Sequence, residues 1–243
     1  MFWEPRTYRT SVASAGLVTF EVVHAETDLQ IAAMSDLTEH ARELVRVVRA
    51  ELDGYVGLHP HFAASFVPVE VEPDAPEIVR AMAEAASVAR VGPMAAVAGA
   101  IAEHVARGLA AHSREVIVEN GGDVFLLGRT ERRVLLLAGD SPLSGRLAVT
   151  LGPEGLPVAV CTSSGTVGHS TSLGSAQAVT VIAESGALAD AAATAGGNRI
   201  HGPGDLERAL EEIRALAGVR GVVVLSGDRV GAAGDVRLER IGA

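Results

Sequence analysis

Apolar positions recur every second residue in some stretches of the chain and every third or fourth in others, and the change of period marks the elements. Leu17 to His24 alternates as a strand does, and Asp28 to Ala33 reads as its partner. Asp36-Leu37-Thr38-Glu39 has the form of a capping box. Leu37, Ala41, Leu44, Val45, Val48, Leu52 and Tyr55 follow at helical spacing. His59-Pro60 and Pro68 break the chain into a loop and a short extended piece. Pro73-Asp74-Ala75-Pro76 opens a second helix, with Pro76 in its first turn, running to about Arg90. Gly92-Pro93 separates it from a third, whose stripe is Met94, Val97, Ile101, Val105 and Leu109.

The period then falls to two. Strands are predicted at Glu115 to Glu119, Asp123 to Leu127, Arg133 to Ala138, Arg146 to Leu151, Pro157 to Thr162 and Ala178 to Ala183. An Ala-rich helix over Ala187 to Ala195, ended by Gly196-Gly197, and another capped by Gly204-Asp205 and reaching about Ala217 come next. Arg220 to Leu225 and Val236 to Ile241 close the chain as strands. No low-complexity linker and no sequence repeat is visible. This order predicts an α+β fold, an antiparallel sheet covered by helices. The chain reads as one unit over residues 1–243, with two lobes near 1–112 and 113–243 as the finest division.

Composition narrows the class. With 48% apolar and 3% aromatic residues among 243, the core is built from small side chains. The net charge of -10 argues against a nucleic-acid or anionic-membrane partner, since no cationic surface would displace counterions. All 20 basic residues are Arg, so Schiff-base lysine chemistry and a P-loop lysine are excluded. The single cysteine, Cys161, rules out an intrachain disulfide and a multi-cysteine zinc site. The first ten residues, MFWEPRTYRT, lack the apolar core of a signal peptide, and the apolar run from Pro93 to Ala111 is interrupted by Glu103, His104 and Arg107. A soluble, cytoplasmic protein is the expectation, with a homo-oligomer as a further one.

Chemistry concentrates in three places. Asn120-Gly121-Gly122-Asp123 follows a strand; paired glycines leave amides uncovered for a phosphate, and an Asp can meet ribose or metal. A hairpin turn is the competing reading. Thr162, Ser163, Ser164, Gly165 and Thr166 end a strand in hydroxyls that suit a pyrophosphate, or simply form a polar turn. His169 follows as a candidate acid or base, or an exposed loop histidine. Asp190 and Thr194, four apart on a helix, would point the same way and offer hard oxygens to Mg²⁺; a surface Asp is the alternative. Cys161 is a buried structural thiol or a nucleophile. His59 and His61 form a paper metal pair with no third ligand nearby in sequence.

Together these segments resemble the ApbE-like superfamily of flavin transferases. Asn120-Gly121-Gly122-Asp123 resembles its Gly-Gly-Asp motif, Thr162-Ser163-Ser164-Gly165 with His169 its Thr-Ser-Gly…His segment, and Ala189-Asp190-Ala191 to Thr194 its Ala-Asp-Ala-x-x-Thr metal motif. Glu26-Thr27-Asp28-Leu29, Val91 to Glu103, Val118 to Asp123 and Cys161 to Ser170 are similar to a branch of unknown function found in sulfate reducers and methanogens. The resemblance implies a T-fold-like architecture of antiparallel sheets packed with helices. It implies a flavin nucleotide, FAD, bound by residues 120–123 and 162–166, with Mg²⁺ on Asp190 and Thr194 and catalysis by His169 and Asp190. It further implies FMN transfer to a hydroxyl of an acceptor protein. A non-catalytic flavin-binding protein and an accessory of sulfur assimilation, serving homocysteine formation, are the alternatives. The chain departs from the transferase pattern in having no Lys before the central helix and no Asp-Pro-x-Thr-Gly loop after His169, and from the closer branch in having Ala176-Gln177-Ala178 in place of Ala-Asp-Ala.

Overall fold

The computed structural model describes residues 14–164 and 178–242. Eight strands form one antiparallel sheet in the order β1-β2-β3-β4-β7-β8-β9-β10. β1 (Val18–His24) and β2 (Thr27–Ala33) precede the helices α1 (Thr38–Leu58), α2 (Pro60–Ala64), α3 (Glu77–Ala89) and α4 (Val97–Leu109). β3 (Val116–Asn120) and β4 (Asp123–Leu127) follow. β5 (Arg132–Leu135) and β6 (Leu147–Leu151) leave the sheet and pair with β11 (Leu238–Arg240) in a separate three-stranded sheet. β7 (Val158–Ser163) and β8 (Ala178–Ala183) return to it, then α5 (Gly186–Arg199) and α6 (Leu206–Arg214), then β9 (Val219–Ser226) and β10 (Arg229–Gly234). The large sheet is therefore the same motif twice: two strands, a helical excursion, two strands. The motif is a repeat of topology, which explains why no repeat shows in the sequence.

Alternation along each strand sorts side chains into two cores. Val116, Val118, Phe125, Ala159, Cys161, Val179 and Val181 face the helices. Ile117, Val124, Leu126, Val158, Val160, Ile182 and Val223 face the small sheet, against Val134, Leu136 and Val149. The layers are thus helices, large sheet, small sheet, in agreement with the predicted α+β class of antiparallel sheets packed with helices.

Several boundaries differ from the sequence reading for local reasons. Asp36 does not make a capping box with Glu39; its carboxylate accepts from the Thr38 N–H at 2.9 Å and the Thr38 hydroxyl at 2.6 Å. The loop expected after His59 contains α2, with Pro60 at its first position. Pro76 sits just before α3 rather than inside it, and α3 ends at Arg90 in the left-handed region, φ +60°. α5 does not stop at Gly196-Gly197 but runs to Arg199. Gly196 is there for packing: a Cβ would lie 2.8 Å from Val179 Cγ1 on β8. The strand read as Val236 to Ile241 shrinks to β11, and β10 lies in a stretch of Gly and Ala that carried no strand signal.

Among the described residues, no single helix is long and apolar enough to cross a membrane.

Candidate functional site

α4 and α5 cross in backbone contact. A Cβ on Gly99 would stand 2.2 Å from the Gly186 carbonyl oxygen, and one on Gly186 would stand 2.2 Å from the Gly99 carbonyl oxygen. The contact is sealed by a reciprocal exchange. The Gly99 N–H, in the first turn of α4, donates to Asp190 Oδ2 of α5 at 3.0 Å. The Gly186 N–H, which opens α5, donates to Glu103 Oε2 of α4 at 2.7 Å. Each helix thus satisfies an orphan amide of the other and puts a carboxylate at its positive end.

The β3–β4 hairpin and the end of β7 close around this crossing. Asn120 Nδ2 donates to the Ala98 carbonyl at 3.0 Å. Asp123 Oδ1 accepts from the Thr162 N–H at 3.1 Å. The Cys161 thiol approaches Asp123 and lies 3.7 Å from the Gly186 carbonyl oxygen. Asn120, Asp123, Thr162 and Asp190, far apart in the chain, therefore converge on the N-terminal end of α4.

Individual residues depart from expectation. Gly121 and Gly122 have φ of +66° and +106° and form the two-residue loop of a hairpin in which Asn120 pairs with Asp123. The hairpin reading of this turn is the observed one, and the Gly122 N–H donates to Glu119 Oε1 at 2.7 Å. Thr162 contributes its amide only, because its hydroxyl lies on the opposite face, 2.8 Å from that of Thr180. Ser163, one residue on, takes the helix side. It is 7% exposed, and its buried Oγ has no hydrogen-bond partner among the described residues. Ser164 is also buried. Thr194 keeps partial exposure one turn beyond Asp190. Gly165, Thr166 and His169 lie outside the described residues.

Electrostatics mark the same spot. Burial first, then the Asp190 carboxylate, push the Asp123 carboxyl well above the carboxylate range. Burial raises Asp190 to about 7 against the pull of the Gly99 and Ala98 amides. Cys161 is fully buried, and burial followed by Asp123 and Asp190 raises its thiol, which makes it a poor nucleophile. Crowded carboxylates without a cation fit a place where a cation binds. Asp190 and Thr194 could offer two hard oxygens from one face of α5. Among the described residues, no group of three or more His, Cys, Asp and Glu is arranged to hold a metal alone. His59 and His61 have the Glu72 carboxylate as a neighbour, but the three are not arranged to hold a metal.

Glu103, Gly99 and Gly186 were not among the residues singled out in the sequence. The signal was there: Gly-x-x-x-acid occurs as Gly99…Glu103 and again as Gly186…Asp190, a helical spacing that puts a small residue and a carboxylate on one face.

Helices layered on antiparallel sheets in this arrangement are the ApbE fold. The flavinyl transferase ApbE of Pseudomonas stutzeri superposes with a TM-score of 0.58 over 89% of this chain and 93% of its own, at 16% identity. An ApbE protein of Thermotoga maritima gives 0.53 over 89% and 97%, at 13% identity. At these identities the likeness shows the fold. Family is shown by sequence: the chain belongs to the family described as AbpE bacteria, whose model matches residues 9–224. It is 45% identical over 201 residues to a UPF0280 protein of Methanocaldococcus jannaschii, covering 81% of this chain and 82% of that protein. A UPF0280 protein of Methanopyrus kandleri is 45% identical over 225 residues, 90% and 91% of the two chains.

Proposed function

We propose that the protein binds a flavin nucleotide, FAD, across the end of β7 and the α4–α5 crossing, and transfers its FMN moiety to a hydroxyl of an acceptor protein. The observation that carries this reading is the convergence of Asn120, Asp123, Thr162 and Asp190 beside Ser163, whose buried hydroxyl has no partner among the described residues. A polar atom left unpaired in a dry site costs stability, and a ligand phosphate or ribose oxygen would satisfy it. Asp190 and Thr194 would hold Mg²⁺, which supplies charge neutralisation at a pyrophosphate. In the reaction, the acceptor oxygen bonds to the FMN phosphorus, the phosphoanhydride bond breaks, and AMP leaves with the bridging oxygen. The acceptor proton passes to His169. The protein's share is otherwise positioning.

The test is the visible spectrum of purified protein after FAD and Mg²⁺ are added and excess ligand is removed, followed by assay for AMP with the acceptor present. A retained flavin band that disappears in Asp190→Ala supports the site. No binding at about 1 mM FAD overturns it. A binding-only role is the second reading, favoured by the loss of the Gly122 amide to Glu119. Its signature is stoichiometric flavin without AMP.

A further inference from the structure

We propose that Glu103 is a positioning residue that sets where Asp190 and Thr194 stand on α5. The inference rests on the cation reading above and adds a residue to it. α5 begins at Gly186, and its cap residue holds later amides: Ser185 Oγ accepts from the Leu188 N–H at 3.3 Å and the Ser185 carbonyl from the Ala189 N–H at 3.0 Å. The Gly186 N–H is fixed instead from α4, by Glu103 Oε2 at 2.7 Å. Glu103 is itself held from behind, Oε1 accepting from Arg107 Nε at 2.7 Å, and its side chain is 18% exposed. Asp190 lies four residues after Gly186, so a slide or roll of α5 at its first residue carries the Asp190 carboxylate off the Gly99 amide. The crossing permits no slack in the other direction, since the backbones already touch at Gly99 and Gly186. Glu103 and the glycine contact thus fix α5 along and across its axis.

Two conservative variants separate position from charge. Glu103→Gln keeps an acceptor of the same reach and removes the charge. Glu103→Asp keeps the charge and withdraws the acceptor by one methylene. The probe is Mn²⁺ in the presence of FAD, followed by electron paramagnetic resonance of the free ion, with thermal unfolding to show that both variants fold. Positioning predicts that Glu103→Gln binds Mn²⁺ within about twofold of the wild type, while Glu103→Asp loses about tenfold, the loss expected when a partner that orients a ligand is displaced. Equal affinity in Glu103→Asp and wild type overturns the proposal. So does a Glu103→Gln loss as large as that of Glu103→Asp, which would make the charge the cause. If the wild type itself binds no Mn²⁺, the cation reading fails and takes this inference with it. Amide exchange of Gly186 gives a metal-independent check: faster exchange in Glu103→Asp than in Glu103→Gln is required.

Discussion

Ser163 holds a buried hydroxyl with no partner among the described residues. Ser163→Ala should leave the ligand-free protein as stable as before or about 1 kcal/mol more stable, because an unsatisfied buried group is removed. The same change should weaken FAD binding. Denaturant unfolding and flavin titration check the two signs separately. Glu115 shows the opposite case. Burial works against its charge, but the Arg129 amide, the Arg132 guanidinium and the Thr130 hydroxyl outweigh it and hold the carboxyl below its ordinary 4.5. A lowered value stabilises the folded state above the unfolded pKa, and that contribution is lost as pH falls through the folded one. Glu115→Gln should therefore cost about 2–3 kcal/mol at neutral pH, since Arg132 is nearly buried. The deficit should shrink as pH drops below 4.5, followed by urea unfolding across pH.

Elements carry constraints that single residues do not. Gly186→Ala places a methyl group 2.2 Å from the Gly99 carbonyl oxygen, and neither backbone can yield without separating α4 from α5. A loss of about 1–3 kcal/mol is expected in denaturant unfolding, together with loss of flavin binding. At the end of α3, Arg90 occupies the left-handed region. Arg90→Gly should raise stability by up to about 1 kcal/mol by the same measurement, without effect on the site. The legibility of the sequence follows from the same physics. Strands such as β4 and β8 were readable to the residue because β-branched and aromatic side chains alternate between turn signals. α5 was cut short because it is buried almost all round: Ala187, Ala189, Ala191, Ala192 and Ala193 leave no polar face to mark its period, and its two late glycines pass for a stop. Of the site, Asn120 and Asp123 were legible as polar residues at strand ends, and Asp190 as a lone carboxylate on an Ala-rich helix. The side to which Thr162 points was not, because it depends on strand pairing. Glu103 read as an interruption of an apolar helix, with its partner 83 residues away.

At the scale of the molecule, the two strand–helix–strand units share one sheet through the β4–β7 seam, where Val124 opposes Val160 and Phe125 opposes Ala159. They also share the α4–α5 crossing and both cores. Residues 14–127 and 128–242 produced separately should therefore fail to fold, each exposing one side of that seam. Circular dichroism of the two fragments checks this; cooperative melting of either alone would contradict it. The seam also shows how much hangs on strand register. Successive residues of β7 project to opposite sides of the sheet, so the lone hydroxyl and the one paired with Thr180 are neighbours in sequence and strangers in space. Deleting one codon between Val158 and Cys161 would exchange them, turning the Ser163 hydroxyl toward the small sheet while the serine itself stayed in the gene.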